Sequence, residues 1–300
     1  MKQYKIGALF LATFALFACK DEQVVTKSSA ETTEQQQAVE ASTIPLISAE
    51  PTTLIQEKKC FKDERCYEID MKGLKTNVDW IDHYFQTQAR EYLIPEDSGL
   101  SPEEADKAKA HWQQLSFEQL KAEYIKSIAD LFNDPEYAPI GYAFEYQPRF
   151  IAQHQQLAMF VDYFSLYSGG AHGIYGTRFS NFDLQTKKLL KLDDILLPNQ
   201  QLKFNELLQN AFLYYLSTVE NEQSLEKLQQ LLQERESMGW KLVPTDNFTF
   251  TYEGVLFNYR PYELGAYAEG EIQLLIPYNA LIGVAKPSYL FNTTKSIISE

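Results

Sequence analysis

Residues 116–146, SFEQLKAEYIKSIADLFNDPEYAPIGYAFEY, contain a change of period that decides the fold class. Ser116-Phe117-Glu118-Gln119 reads as a helix start, with a serine to cap and a glutamine three residues on to close a capping box. Leu120, Ile125, Ile128 and Leu131 then recur at helical spacing and are expected to face a core. Beyond the Asn133–Gly141 loop, Tyr142, Phe144 and Tyr146 alternate with small or polar neighbours, which is the pattern of a half-buried strand.

The same switch recurs outward from this stretch. Thr76-Asn77-Val78-Asp79 opens a helix with Val78, Ile81, Phe85 and Tyr92 on one side, and Ser101-Pro102-Glu103-Glu104 is another helix start, before Trp112 and Leu115, so that residues 101–132 form either two helices or one bent one. Strands are expected over residues 156–167 and 174–184, followed by a polar turn at 183–188. Asn199 is expected to cap a helix with Leu202, Leu208, Phe212, Tyr215 and Val219 on its inner face, and a further helix runs from Ser224 to near Gly239. Residues 248–252 and 255–259 form a hairpin around Glu253-Gly254, and 271–276 is the last strong strand. Locally paired strands and helices in blocks predict an α+β fold, an antiparallel sheet with packed helices in a single globular region.

Composition excludes several classes. Hydrophobic residues make up 45% and aromatics 14% of the 300 residues, too much for a disordered chain. Against 41 Asp+Glu stand 27 Lys+Arg, a net charge of −14, which argues against nucleic acid as a partner because phosphate binding needs clustered cations. His83, His111, His154 and His172 are scattered, with no metal-ligand spacing within one element, and nothing points to a metal or a cofactor.

The N-terminus carries an address. Lys2 and Lys5 precede the apolar run Ile6–Ala18, IGALFLATFALFA, about 20 Å of helix and too short to span a bilayer comfortably. The run ends Leu16-Phe17-Ala18-Cys19, which resembles the bacterial lipobox. That resemblance implies a signal peptide over 1–18, acylation of Cys19 and a membrane anchor. Lys20 after the cysteine implies the periplasmic side of the outer membrane. Residues 19–55 lack Phe, Tyr and Trp and are rich in Thr, Ser, Gln and Glu, so they read as a flexible tether. In an oxidising compartment Cys60 and Cys66 are expected to form a disulfide.

Three spaced blocks carry a further resemblance. They are Ser168-Gly169-Gly170-Ala171-His172-Gly173-Ile174-Tyr175-Gly176, Leu192-Asp193-Asp194-Ile195-Leu196, and Pro261-Tyr262-Glu263-Leu264-Gly265-Ala266-Tyr267-Ala268-Glu269-Gly270. Together they resemble the C-terminal domain of RsiV-type lysozyme-sensing anti-sigma factors, catalogued as domain of unknown function 3298. The same domain accompanies PdaC-type peptidoglycan deacetylases and occurs in many bacterial lipoproteins. The resemblance implies an N-terminal companion lobe over 56–168, an RsiV-like lobe over 169–286 and a tail over 287–300. It also implies a non-enzymatic binding role in the cell envelope, with a cationic lysozyme-like muramidase as partner.

The residues offer two chemistries. His172 lies among glycines that permit unusual backbone conformations; it serves either as an active-site imidazole or as part of a plain turn. Glu263 and Glu269 flank tyrosines and either work as an acid–base pair on a glycosidic bond or hold their loop by accepting backbone N–H groups. The binding reading places contacts at His172, Tyr175, Tyr262, Glu263, Tyr267 and Glu269; the alternative is a peptidoglycan hydrolase or deacetylase-like enzyme using His172 or Glu263/Glu269. Ser168 lies in no nucleophile elbow.

Overall fold

The computed structural model describes residues 44–61, 64–94, 101–134 and 139–291, all within one unit spanning Ser42–Glu300. The signal sequence, Cys19 and residues 20–43 lie outside the described residues, as do 292–300 of the expected tail.

Nine strands and six α-helices are described. In chain order they are β1 (Ala49–Cys60), β2 (Cys66–Thr76), α1 (Asp79–Glu91), α2 (Pro102–Gln114), α3 (Phe117–Asn133), β3 (Tyr142–His154), β4 (Leu157–Tyr167), β5 (Ile174–Asp183), β6 (Lys188–Leu189), α4 (Leu192–Ile195), α5 (Gln201–Val219), α6 (Leu225–Ser237), β7 (Phe248–Phe250), β8 (Gly254–Tyr259) and β9 (Ile272–Pro277). Strands β1 to β6 form one sheet in sequence order, and β7 to β9 form a second, antiparallel sheet. The α+β expectation holds. One pairing departs from the antiparallel rule: β2 and β3 run parallel, because α1, α2 and α3 form the crossover between them.

The helix starts follow the local chemistry. Ser101 and Ser116 each accept the N3 backbone N–H in a capping box, and Ser224 caps α6. α1 to α3 cover one face of the large sheet, where Ile69, Met71, Tyr124, Ile128, Phe144 and Tyr146 pack together. Phe85 of α1 meets Phe160 and Phe182 in an adjoining cluster. α5 and α6 cover the small sheet, with Phe204 edge-on to Phe257 at 5.3 Å.

Two helix faces are rotated from their sequence readings. Leu131 is exposed on α3, while Phe132 is buried. On α5 the seam is Phe204, Leu208, Phe212 and Leu216, spaced every four residues, and Leu202 and Val219 face solvent. The chain there is apolar on more than one side, so spacing alone does not select the buried stripe.

The expected boundaries also shift. Residues 49–55, assigned to the tether, belong to β1, which pairs with β2 from Ala49↔Thr76 to Cys60↔Cys66. Ile47 and Ile55 supply the buried anchors, and the intervening Glu, Pro and Thr suit the open face of an edge strand. Cys60 and Cys66 are joined, with Cα atoms 4.1 Å apart, so the disulfide clasps the turn end of this hairpin. The expected boundary at 168/169 falls inside the β4–β5 hairpin, whose strands pair along their full length.

The two sheets are sewn together by side chains. β6 is only two residues long, so much of the outer edge of β5 lacks a strand neighbour. Side chains from the small sheet and its loops take that place. Asn247 accepts from the Phe179 N–H and donates to the Thr177 carbonyl, both at 2.9 Å. Glu271 accepts from the Thr177 N–H at 2.6 Å and its hydroxyl at 2.7 Å, and Asn181 donates to the Phe248 carbonyl at 2.6 Å. Asn258, fully buried, donates to both the Thr177 carbonyl and Glu271. These bonds satisfy backbone groups that burial would otherwise strand.

Candidate functional site

The β4–β5 turn and the loop after β8 converge at the surface. In the turn, Gly169 and Gly170 adopt φ of +89° and +115°. A Cβ on Gly173 would lie 2.6 Å from the Leu166 carbonyl oxygen, so the backbone passes too close for a side chain there. This turn presents His172, which is exposed, and leads into Tyr175 on β5.

The second segment is braced from within. Glu263 accepts the Arg260 N–H at 2.8 Å, and its other oxygen takes two guanidinium bonds from Arg260 at 3.0 and 3.1 Å. That closed turn holds Tyr262 at φ +74°, an uncommon conformation for a tyrosine. Further on, Glu269 accepts the Ala266 N–H at 2.9 Å and receives both arms of Arg235 at 2.8 and 3.2 Å. Arg235 projects from α6, is 8% exposed, and also donates to the Leu264 carbonyl at 3.0 Å. The 3-10 turn Tyr267–Glu269 is thereby pinned to the helix layer.

Four rings assemble on this frame. His172 stacks on Tyr267 with centroids 3.9 Å apart and planes inclined by 20°. Tyr175 meets Tyr267 edge-on at 5.8 Å, and Tyr262 lies 5.7 Å from Tyr267. His172 Nδ1 bonds the Gly173 carbonyl at 3.0 Å, which makes that nitrogen the donor and leaves Nε2 to accept from the Tyr262 hydroxyl at 3.3 Å. Burial pushes the pKa of the Tyr175 hydroxyl up, with Tyr267, Glu271 and Tyr163 adding to the effect.

The structure thus brings His172, Tyr175, Tyr262 and Tyr267 together from two segments about ninety residues apart. Glu263 and Glu269 do not join them as a free pair. Each carboxylate is occupied by an arginine and a backbone N–H, the loop-holding alternative of the sequence reading. Asp194 likewise accepts the Lys191 N–H at 2.9 Å at the start of α4. Among the described residues no group of three or more His, Cys, Asp or Glu is arranged to hold a metal ion.

Arg235, Arg260 and Tyr163 were not singled out by sequence. Tyr163 is half-exposed on β4 beside Tyr175, and its alternation with Asp162 was the available signal. A buried pair lies on the opposite face. Arg178 reaches across from β5 to Asp162 of β4 with bonds of 2.8 and 3.2 Å, and the Asp162 side chain has no exposed surface.

The second half of this frame defines a class of domain. Residues 193–279 match the model of DUF3298, a family of proteins of unknown function, and form a DUF3298 domain. Two solved structures share the fold over most of the chain. A DUF3298 family protein from Pseudomonas aeruginosa PAO1 aligns with a TM-score of 0.58 at 22% identity, covering 83% of this chain and 98% of that one. A member of the same family from Bacteroides fragilis NCTC 9343 aligns with a TM-score of 0.56 at 21% identity, covering 81% and 95%. No curated protein matches the chain.

Proposed function

We propose that this protein is a lipid-anchored envelope module that binds a protein partner through the His172–Tyr175–Tyr262–Tyr267 surface, without catalysis. The observation that carries this reading is the division of labour in the site. Its rings form a braced platform at the surface, while Glu263 and Glu269 are committed to arginines and Glu271 to Thr177 and Asn258. An acid–base pair needs a carboxyl free to exchange protons with a substrate; a contact surface needs rigid aromatics.

The RsiV-like resemblance and the acidic chain favour a cationic partner such as a lysozyme-like muramidase, whose encounter rate the net charge of −14 raises at low salt. The lipobox resemblance favours anchoring through Cys19 on the periplasmic side of the outer membrane. No described helix is long and apolar enough to cross a membrane.

Lysozyme binding to the purified head, measured by biolayer interferometry at two salt concentrations, tests the reading. Salt-sensitive binding that Tyr267→Ala weakens about tenfold or more is expected, as for an aromatic hot spot. Release of soluble fragments from peptidoglycan by the purified protein would overturn it. In cells, Cys19→Ser is expected to move the protein from the membrane fraction to the soluble fraction; unchanged fractionation would refute the anchor.

A further inference from the structure

A groove of about 800 Å³ runs between α5 and the outer edge of β9. Its walls include Leu207, Ala211, Tyr214, Val219, Leu275 and Pro277, and none of the twelve described residues that line it is charged. Tyr214 is 75% exposed and Val219 50%, although both are large apolar side chains beside an open sheet edge.

The register shows what that edge offers. In β8, Asn258 donates to Asn247, and the Gly254 carbonyl accepts from Thr251, so the even-numbered residues of β8 bond toward β7. The odd-numbered ones therefore bond toward β9, where their partners are Ile272, Leu274 and Ile276. Tyr278 N–H to the Glu253 carbonyl continues the same phase. The N–H and C=O groups of Gln273 and Leu275 consequently point outward into the groove. β9 is the last strand of its sheet, and no described strand pairs with this edge.

An apolar trough beside unpaired main-chain donors and acceptors is the geometry by which a sheet accepts an additional strand. The ends of the groove specify charge. Glu220 follows Val219 at the C-terminus of α5, where the helix dipole is also negative; it lies 3.5 Å from Arg235, which it shares with Glu269, so one cation meets two carboxylates at that end, and Glu253 flanks the Pro277 end of β9. Lysine or arginine at the ends of an occupant complements these groups, and acidic residues are repelled.

We propose that this groove binds an extended polypeptide segment of another protein by strand addition to β9, the segment having a neutral, alternately apolar centre and basic flanks. The outward backbone groups of Gln273 and Leu275 set the register. The trough along Leu207, Ala211 and Tyr214 takes alternate side chains.

The test uses a fluorescein-labelled peptide with a Val-Thr-Val-Thr-Val centre and two lysines at each end. A second peptide carries glutamates in place of the lysines. Fluorescence anisotropy with the folded chain is expected to show saturable binding of the lysine-flanked peptide, and binding of the glutamate-flanked one about tenfold weaker or less. Leu275→Pro removes one outward N–H from an edge position where proline is tolerated, and is expected to weaken binding about tenfold. Leu275→Ala, which keeps the N–H, is expected to retain most of it. Should Leu275→Pro fail to fold, hydrogen exchange on the unaltered protein decides: the Gln273 and Leu275 amides must gain protection when peptide is added. Equal binding of both peptides, or no gain in protection, overturns the proposal. So does protection that is present without peptide and rises with protein concentration, which would seat a second copy in the groove. Protection that is present without peptide and lost on deleting residues 292–300 overturns it too, by assigning the groove to the chain's own C-terminal segment.

Discussion

Arg178→Met is expected to destabilise the protein by about 3–5 kcal/mol, because it leaves a buried carboxylate without its counter-ion. Asp162 is wholly enclosed between the large sheet and α1, and Arg178 supplies two bonds to it. The surroundings offer little replacement. Burial pushes Asp162 up from its ordinary carboxyl value and drives Tyr92 up to about 12, and the Tyr146 hydroxyl is buried with no hydrogen-bond partner. In the variant the folded state prefers a neutral Asp162, so its folded pKa lies above the unfolded one. The associated stability is fully present below the unfolded pKa of about 4 and is lost as pH rises through the folded pKa. Urea denaturation should therefore find Arg178→Met more stable at about pH 5 than at about pH 8, and Asp162→Asn added to it should recover much of the loss. A loss below about 1 kcal/mol would show that the carboxylate relaxes into solvent.

Arg235→Ala should cost about 2–3 kcal/mol and also dismantle the aromatic platform, which makes it the more informative variant for function. One guanidinium holds Glu269, the Leu264 carbonyl and the face of Phe212, where its centre lies 6.0 Å from the ring centroid. Its loss frees the turn that carries Tyr267. The readout is local: with Tyr267 stacked at 3.9 Å, the His172 ring protons sit in its shielding region. Their NMR signals should move toward free-histidine positions in Arg235→Ala, while the lower stability appears in denaturant melts. Unmoved His172 signals would mean that Glu269 and Ala266 hold the turn by themselves.

Features fixed within a few residues were legible in the sequence. The serine caps of α2, α3 and α6 depend on local hydrogen bonds, and the strands around Phe144 and Phe257 depend on alternation, so both can be read before any tertiary contact forms. The parallel pairing of β2 with β3 was not legible, because it depends on three helices folding back over the sheet. Nor was the buried stripe of α5, where apolar residues on several faces compete.

The candidate site divides along the same line. His172, Tyr175, Tyr262, Glu263, Tyr267 and Glu269 can each be picked out by their setting among glycines and tyrosines. Their roles could not be assigned that way, since Arg235 lies 34 residues from Glu269 in sequence and meets it only after α6 docks. The bonds of Asn247, Asn258 and Glu271 are equally non-local, and these residues look like ordinary loop or strand-end polar residues until β5 lies beside them.

The stitching of β5 to the small sheet has a bearing on how this molecule can be divided. A polypeptide ending near residue 190 would retain all six strands of the larger sheet, yet Thr177 and Phe179 would lose the amide and carboxylate groups that quench their backbone polarity. Such a fragment would expose a naked strand margin and recruit its own kind along it.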